Sequence, residues 1–73
     1  MNHKPIGYRV VRYLAECTEV CSDWDHRDIA ECDFQNGKAA IQDGTSPWTD
    51  IELYQKFVWK KTELLDQYPE ERS

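Results

Sequence analysis

The dipeptide Asn36-Gly37 lies at the centre of the chain, between two short runs that mix apolar and polar residues. Both residue types tolerate the positive φ of a type I′ turn, so Asn-Gly is the strongest short-range signal for a β-hairpin. A two-residue loop would set Phe34 opposite Ala39 and would separate one apolar face from one polar face. We therefore predict a central antiparallel hairpin, whose apolar face needs a covering element because an isolated hairpin is marginal in water.

Residues 50–67 have the pattern of an amphipathic helix. Thr49 and Glu52 have the spacing of a capping box, in which each side chain satisfies a free backbone N–H at the start of a helix. At about 100° per residue, the apolar side chains fall in one continuous arc and most charged side chains fall outside it. Pro69 disfavours helical geometry at the residue before it, so the helix should end there. This C-terminal helix is expected to cover the hairpin, which predicts a small two-layer α+β domain.

The first third of the chain fits two kinds of secondary structure. Residues 8–13 are rich in strand formers, whereas the apolar spacing from Ile6 to Trp24 fits one face of a helix. Arginines near the start of this segment and aspartates near its end oppose the helix dipole. We predict a helix on periodicity, with a strand over residues 8–14 that adds to the hairpin as the alternative.

The length of the chain limits it to one domain. A chain of 73 residues with 40% hydrophobic residues is typical of a single small globular domain and excludes a fold built from repeated βαβ units. We expect residues 5–68 to form the ordered core and residues 1–4 and 69–73 to be flexible. No apolar run approaches the roughly 18 residues of a membrane span, and no signal-type apolar core is present. These features predict a cytoplasmic protein that does not bind membranes.

Charge is strongly segregated along the chain. Residues 1–15 hold three basic residues and no acid, whereas residues 16–33 hold seven acids and one arginine, a local charge of minus 6. Such a segment repels phosphates, which argues against direct binding of nucleic acid. It would attract a basic partner protein and raise the rate of encounter, or it would simply keep the protein soluble.

Two tryptophans are candidate interface residues. Trp59 lies outside the apolar arc of the predicted C-terminal helix, so its side chain should be exposed unless another segment covers it. Exposed tryptophan is typical of an interface anchor. Trp24 lies within the acidic stretch and has the same interpretation. The candidate partner-binding residues are Trp59, Trp24, Glu16, Glu19, Asp23, Asp25 and Asp28.

The cysteines and one histidine allow two interpretations, ordinary packing or a zinc site. Three cysteines are an odd number, which does not suit a disulfide framework and agrees with a reducing compartment. The pattern Cys17-x3-Cys21-x4-His26-x5-Cys32 resembles the zinc-knuckle spacing C-x2-C-x4-H-x4-C, and zinc would stabilise so small a core. Two of the three spacings between successive ligands differ from the knuckle pattern by one residue. The residues between the ligands are rich in acids, which disagrees with the nucleic-acid binding of zinc knuckles. We therefore expect ordinary packing of the cysteines and no cofactor. A zinc ion held by Cys17, Cys21, His26 and Cys32 is the alternative.

Catalytic motifs are missing from the sequence. It contains two histidines but no nucleophile elbow, phosphate loop or HExxH motif. So small a core leaves little room for a pocket of the few hundred Å³ that ligand sites need. We therefore predict that the protein is not an enzyme.

A single small acidic domain with a candidate exposed tryptophan and no catalytic residues resembles the small proteins with which bacteriophages bind and redirect a host machine. In style it is similar to phage regulators of bacterial RNA polymerase. The resemblance rests on the small size, the acidic charge and the lack of catalytic residues over all 73 residues, not on a motif. It implies binding to a polymerase subunit, competition with sigma-factor engagement, and altered transcription without catalytic turnover. The alternatives are an acidic DNA mimic that blocks a host nuclease, restriction enzyme or CRISPR complex, and a zinc-stapled interaction domain.

Overall fold

The computed structural model describes residues 4–15 and 18–69. Four strands and one helix follow each other in the order β1 (Gly7–Leu14), β2 (Glu19–Trp24), α1 (Arg27–Asp43), β3 (Trp48–Lys56) and β4 (Glu63–Tyr68). The strands form one antiparallel sheet in the order β2-β1-β3-β4, and α1 packs against one side of it. The predicted α+β class is therefore confirmed. Of the termini expected to be flexible, residues 1–3 and 70–73 lie outside the described residues.

The core lies between α1 and the two central strands. Val10 of β1 and Ile51 of β3 are fully buried, and they pack against Ala30 and Phe34 of α1, which are fully buried as well. Leu53 completes this cluster with 3% of its surface exposed. These side chains meet because β1 and β3 are hydrogen-bonded neighbours whose alternate residues point to the same side of the sheet.

The hairpin predicted at Asn36-Gly37 is wrong, because both residues lie inside α1. Small and apolar residues recur along this segment at the spacing of one helix face, and Gly37 lies on the buried face. A side chain at Gly37 would collide with Cδ1 of Ile51, and its Cβ would lie 3.3 Å from Nη2 of Arg12. The glycine therefore serves close packing of helix on sheet, and this packing overrides the local preference for a turn.

The helix predicted over residues 50–67 is also wrong, since this segment forms the β3–β4 hairpin. Ile51 and Leu53 are buried in the core, and Glu52 between them points to the other side of the sheet, which is the alternation of a strand. The capping box is absent as well. The Thr49 hydroxyl donates to the backbone oxygen of Tyr13 at 3.3 Å, across the β1–β3 pair.

The first third of the chain forms β1 and β2, so the helix predicted there is wrong and residues 8–14 are a strand, as in the alternative. Arg9 and Asp23, whose order along the chain opposed a helix dipole, lie opposite each other on the paired strands. Their side chains form an ion pair with 2.8 Å between Nε and Oδ1. The strand arrangement thus brings together charges that a helix would have kept apart.

Arg12 and Asp33 connect the sheet to the helix. Arg12 extends from the centre of β1 and its guanidinium donates to the carboxylate of Asp33, with 15% and 20% of the two side chains exposed. The indole Nε1 of Trp24, at the end of β2, donates to the same carboxylate at 3.0 Å. One carboxylate on α1 therefore binds side chains from two strands, and this fixes the position of the helix along the sheet.

The end of α1 is set by Gly44, which has a φ of 72° in the left-handed region. Its backbone N–H donates to the oxygen of Ile41 at 3.2 Å, and the next N–H, of Thr45, donates to the oxygen of Ala40 at 3.0 Å. This pair of bonds is the Schellman arrangement, which satisfies the last carbonyls of the helix. It turns the chain back towards the start of β3.

We expect Phe34→Ala to lower the free energy of unfolding by about 3–5 kcal/mol, because it leaves a cavity at the centre of the core. A domain of this size lies near the low end of the usual range of about 5–15 kcal/mol, so the variant should be largely unfolded at physiological temperature. Urea unfolding followed by tryptophan fluorescence measures this change. Phe57→Ala, in the loop between β3 and β4, is the control and should lose much less; equal midpoints for the two variants would contradict the assigned core.

We expect Gly37→Ala to destabilise the domain, although alanine is the better helix former. The gain in helix propensity is about 1 kcal/mol, whereas forcing a methyl group into a filled core costs about 1–3 kcal/mol. Asn36→Ala changes the neighbouring, exposed position of the same helix and should leave the urea midpoint equal or slightly higher. A higher midpoint for Gly37→Ala would show that Ile51 relaxes and that the close approach is not needed.

Candidate functional site

The loop of residues 57–62, here called the hairpin tip, joins β3 to β4 and presents apolar side chains to solvent. Val58 is 79% exposed and Trp59 is 54% exposed. The exposure predicted for Trp59 is therefore confirmed, although the residue lies on a loop and not on a helix. Neighbouring exposed apolar side chains of this size are typical of an interaction surface.

Contacts within the hairpin tip hold its aromatic side chains in place. The rings of Phe57 and Trp59 have centroids 5.6 Å apart and planes inclined at 55°. The ammonium of Lys60 lies 4.6 Å from the Phe57 centroid and 4.9 Å from that of Trp59. The same ammonium lies 2.7 Å from Oε2 of Glu63, whose Oε1 accepts a hydrogen bond of 2.9 Å from Gln55. Cation–π and charged contacts thus connect the tip to both strands of the hairpin.

The predicted acidic residues are distributed along β2 and the start of α1. Asp23 is already neutralised, since its Oδ1 lies 2.8 Å from Nε of Arg9 and 3.2 Å from Nζ of Lys56. The hydrogen bond from Arg9 is the main reason why the pKa of Asp23 lies below its ordinary value. Glu19, Asp23, Asp25 and Asp28 are all exposed, and of these only Asp23 forms an ion pair among the described residues. Glu16 lies outside the described residues.

Trp24 contributes to the fold as well as to the surface. Its ring packs against the core cluster, its Nε1 is hydrogen-bonded to Asp33, and the side chain as a whole is half-buried. It also lines a surface groove of about 390 Å³ beside α1, together with the exposed side chains of Ile29 and Cys32. The groove therefore combines an aromatic wall with apolar side chains of the helix.

The described members of the predicted zinc set do not converge. Cys21 lies opposite Val11 and points to the side of the sheet away from α1, whereas Cys32 is exposed on α1 itself. Zinc ligands must lie within about 2.3 Å of one metal ion, and the sheet separates these two thiols. His26 precedes the first residue of α1, and Cys17 lies outside the described residues. Within the described residues, no group of three or more His, Cys, Asp and Glu side chains is placed to hold a metal.

A polar network on the side of the sheet away from α1 was not predicted. Glu52 is only 6% exposed, and its Oε1 accepts hydrogen bonds from the hydroxyls of Tyr13 at 2.7 Å and Tyr54 at 2.6 Å. These bonds compensate a carboxylate for its loss of hydration. The network is not predicted because the capping box assigns the Glu52 side chain to a backbone N–H of a helix and not to tyrosine hydroxyls. Strand alternation in Asp50, Glu52 and Tyr54 is the signal that places them on one side.

No family model, curated protein or solved structure matches this chain. The geometry of the described residues therefore carries the functional argument. In that part of the chain, no helix has both the length and the apolar character needed to cross a membrane. The hairpin tip and the groove beside β2 both place exposed apolar side chains next to charged ones.

We expect the carboxyl group of Glu63 to titrate below the ordinary range of a glutamate. Hydrogen bonds from Lys60 and, to a lesser extent, from Gln55 lower its pKa. For a carboxyl with a lowered pKa, the stabilising contact is complete above the unfolded pKa and is lost as the pH falls through the folded pKa. The contact with Lys60 should therefore persist into mildly acidic solution and disappear only below the ordinary glutamate range.

The carboxyl-carbon NMR shift of Glu63, followed over pH, measures this titration. Lys60→Met removes the ammonium and should move the midpoint back towards the ordinary value. Lys61→Met removes a neighbouring lysine that makes no such contact, so it should leave the midpoint where it is. An unchanged midpoint in Lys60→Met would show that the ion pair does not order the tip in solution.

Proposed function

We propose that the protein is a non-enzymatic binding protein that docks on a partner protein through the hairpin tip. We further propose that it is encoded by a bacteriophage and regulates a host nucleic-acid machine, with bacterial RNA polymerase as the first partner to test. The exposure of Val58 and Trp59 on an ordered loop is the observation that carries the docking proposal. The choice of polymerase rests on the resemblance to phage regulators of RNA polymerase in small size, acidic charge and lack of catalytic residues.

The exposed part of Trp59 is large enough to anchor an interface. With 54% of the residue exposed, burying the remaining surface under a partner would contribute roughly 2–3 kcal/mol. Tryptophan is enriched among the few interface residues that carry most of the binding energy. The contacts of Lys60 with both rings reduce the freedom that binding would otherwise remove, which lowers the entropic cost of docking.

The charges around the hairpin tip indicate the kind of surface that would receive it. Lys60 and Lys61 lie beside the apolar side chains, although the chain as a whole has a net charge of minus 5. A matching site would be an apolar depression with carboxylates at its rim. Such a contact depends mainly on apolar burial, so moderate salt should weaken it only slightly.

The ion pairs within the fold favour docking over DNA mimicry as the mode of action. Asp23 is paired with Arg9 and Lys56, and Asp33 is paired with Arg12. A protein that imitates DNA needs a row of carboxylates whose charge is not compensated. Because Asp23 and Asp33 already have cationic partners, less uncompensated negative charge is left to imitate a phosphate backbone, which supports docking as the first mode of action to test.

We expect Trp59→Ala to leave the Tm almost unchanged and to weaken partner binding by about 2 kcal/mol or more, which is roughly a thirtyfold loss of affinity. The binding assay uses tagged protein and purified bacterial RNA polymerase, as core enzyme and as holoenzyme, at two salt concentrations. Leu64→Ala is the matched control, because Leu64 is 46% exposed on the adjoining strand and lies outside the tip. It should retain full affinity.

The outcomes separate the candidate functions. Binding that survives the higher salt and is lost in Trp59→Ala supports the proposal. Binding that is competed away by DNA and lost at higher salt supports the DNA-mimic alternative. A large fall in Tm for Trp59→Ala would place the residue in the core, and polymerase binding that is unchanged in this variant would contradict docking through the tip. If polymerase does not bind at all, the same variants are to be compared in a pull-down from bacterial lysate with mass spectrometry.

A further inference from the structure

A second interaction surface lies at the opposite edge of the sheet from β4. The strand β2 is an edge strand, and among the described residues it pairs only with β1. Its outward backbone N–H and C=O groups therefore form a row to which an additional strand can be hydrogen-bonded. This surface is distinct from the hairpin tip, which joins β3 to β4.

The two sides of β2 differ in chemistry. Residues opposite each other in an antiparallel pair point to the same side of the sheet, so the register with β1 assigns each side chain of β2. The side chains on the helix side are Val20, Ser22 and Trp24. The side chains on the other side are Glu19, Cys21 and Asp23. One side is therefore mainly apolar and the other is mainly acidic.

The helix leaves apolar surface uncovered along this edge. Val20 is 42% exposed on β2 and Ile29 is 47% exposed on the first turn of α1. The groove of about 390 Å³ lies at the Trp24 end of β2, and the rest of its lining belongs to α1, namely Asp28, Ile29, Cys32, Asp33 and Asn36. A strand added to β2 would place its helix-side side chains beside Val20 and, at the Trp24 end, in this groove.

We propose that β2 and the adjoining groove bind an extended segment of a partner protein in which apolar residues alternate with Lys or Arg. The segment adds to the sheet as a fifth strand. Its apolar side chains lie on the helix side, towards the groove, and its basic side chains lie on the other side, near Glu19, whereas Asp23 on that side is already paired with Arg9 and Lys56. The alternation follows from the period of two of a β-strand.

The exposed carboxylates around β2 favour a basic partner segment. None of the ion pairs among the described residues involves Glu19, Asp25 or Asp28. These exposed carboxylates lie at the two ends of β2 and on the first turn of α1, so they surround the proposed strand position. A lysine-bearing or arginine-bearing segment would gain favourable pairings there, whereas phosphate groups of nucleic acid or lipid would be repelled.

The same charges disfavour a second copy of this chain as the occupant. If two β2 strands paired antiparallel about Ser22, Glu19 of one copy would lie opposite Asp25 of the other, and none of the ion pairs among the described residues compensates either carboxylate. Like charges placed directly opposite each other destabilise a strand pair. An acidic edge strand thus resists self-association while remaining open to a basic segment.

The proposal is tested with a synthetic probe, the fluorescein-labelled heptapeptide Lys-Val-Lys-Ile-Lys-Val-Lys, titrated with the full chain and followed by fluorescence anisotropy. A peptide of the same composition with its lysines grouped together cannot place its apolar residues on one side, so it should bind about tenfold more weakly. A peptide with Glu in place of every Lys should show no binding. Equal affinity for the alternating and the grouped peptides would overturn the strand model.

Protein variants locate the bound peptide. Ile29→Lys introduces a like charge into the groove and should weaken binding of the alternating peptide about tenfold. Leu64→Lys is the matched control, since Leu64 on the other edge strand is 46% exposed, and it should bind as the wild type does. Both positions are exposed, and circular dichroism with thermal melting checks that each variant folds. A loss of binding in Leu64→Lys but not in Ile29→Lys would overturn the assignment to β2.

Amide NMR spectra give a direct readout of strand addition. The alternating peptide should shift the amide signals of residues 19–24 and slow their hydrogen exchange, while those of residues 63–68 stay unchanged. Shifts confined to the hairpin tip or to β4, or dimerisation of the chain without peptide, would overturn the proposal. Trp59→Ala should leave peptide binding intact, so the proposed function and this inference can fail independently of each other.

Discussion

The close approach of α1 to the sheet at Gly37 sets the position of the helix and, through it, the arrangement of the core. With no side chain at this position, the helix can rest on Ile51 of β3 and on the guanidinium of Arg12. This contact brings Phe34 into the centre of the core, where it is fully buried. Arg12 then reaches the carboxylate of Asp33, so an apolar contact and an ion pair define the same placement of the helix.

This placement decides which surfaces remain exposed. One helix of 17 residues covers the centre of the sheet, and in a domain this small no further helix is described that could cover the edges. The edge strand β2 and the hairpin tip therefore keep exposed apolar side chains, of which Val58 is the most exposed at 79%. Both candidate binding surfaces thus follow from how little of the sheet a single helix can bury.

The sequence predicted more of the surface than of the topology. The acidic character of the segment around β2 is predicted correctly, because local charge does not depend on which secondary structure carries it. The exposure of Trp59 is also predicted correctly, but from its position on a helix that the structure replaces with a loop. The secondary structure was misassigned in three places. Asn36-Gly37 has the strongest local signal for a turn, and only the packing of Ile51 against Gly37 explains why it is helical. The network of Glu52 with two tyrosines was missed for the same reason, since its members come from strands far apart along the chain.

The residue pattern alone indicates a small α+β domain with an acidic segment, a candidate exposed tryptophan and no catalytic motif. In the first third of the chain the apolar residues fit both a period of 2 and a period of 3.6, whereas local pattern favours a turn at Asn36-Gly37 and a helix over residues 50–67, and both of these assignments are wrong. Tertiary structure decided the assignment of helix and strand, because β1 pairs with both β2 and β3 and its backbone hydrogen bonds require strands on each side. Once these strands form the sheet, residues 27–43 are the segment whose buried face, with Gly37 at its centre, can lie close against it. Burial and backbone pairing act over the whole chain at once, and for that reason they override turn and helix preferences that act over a few residues.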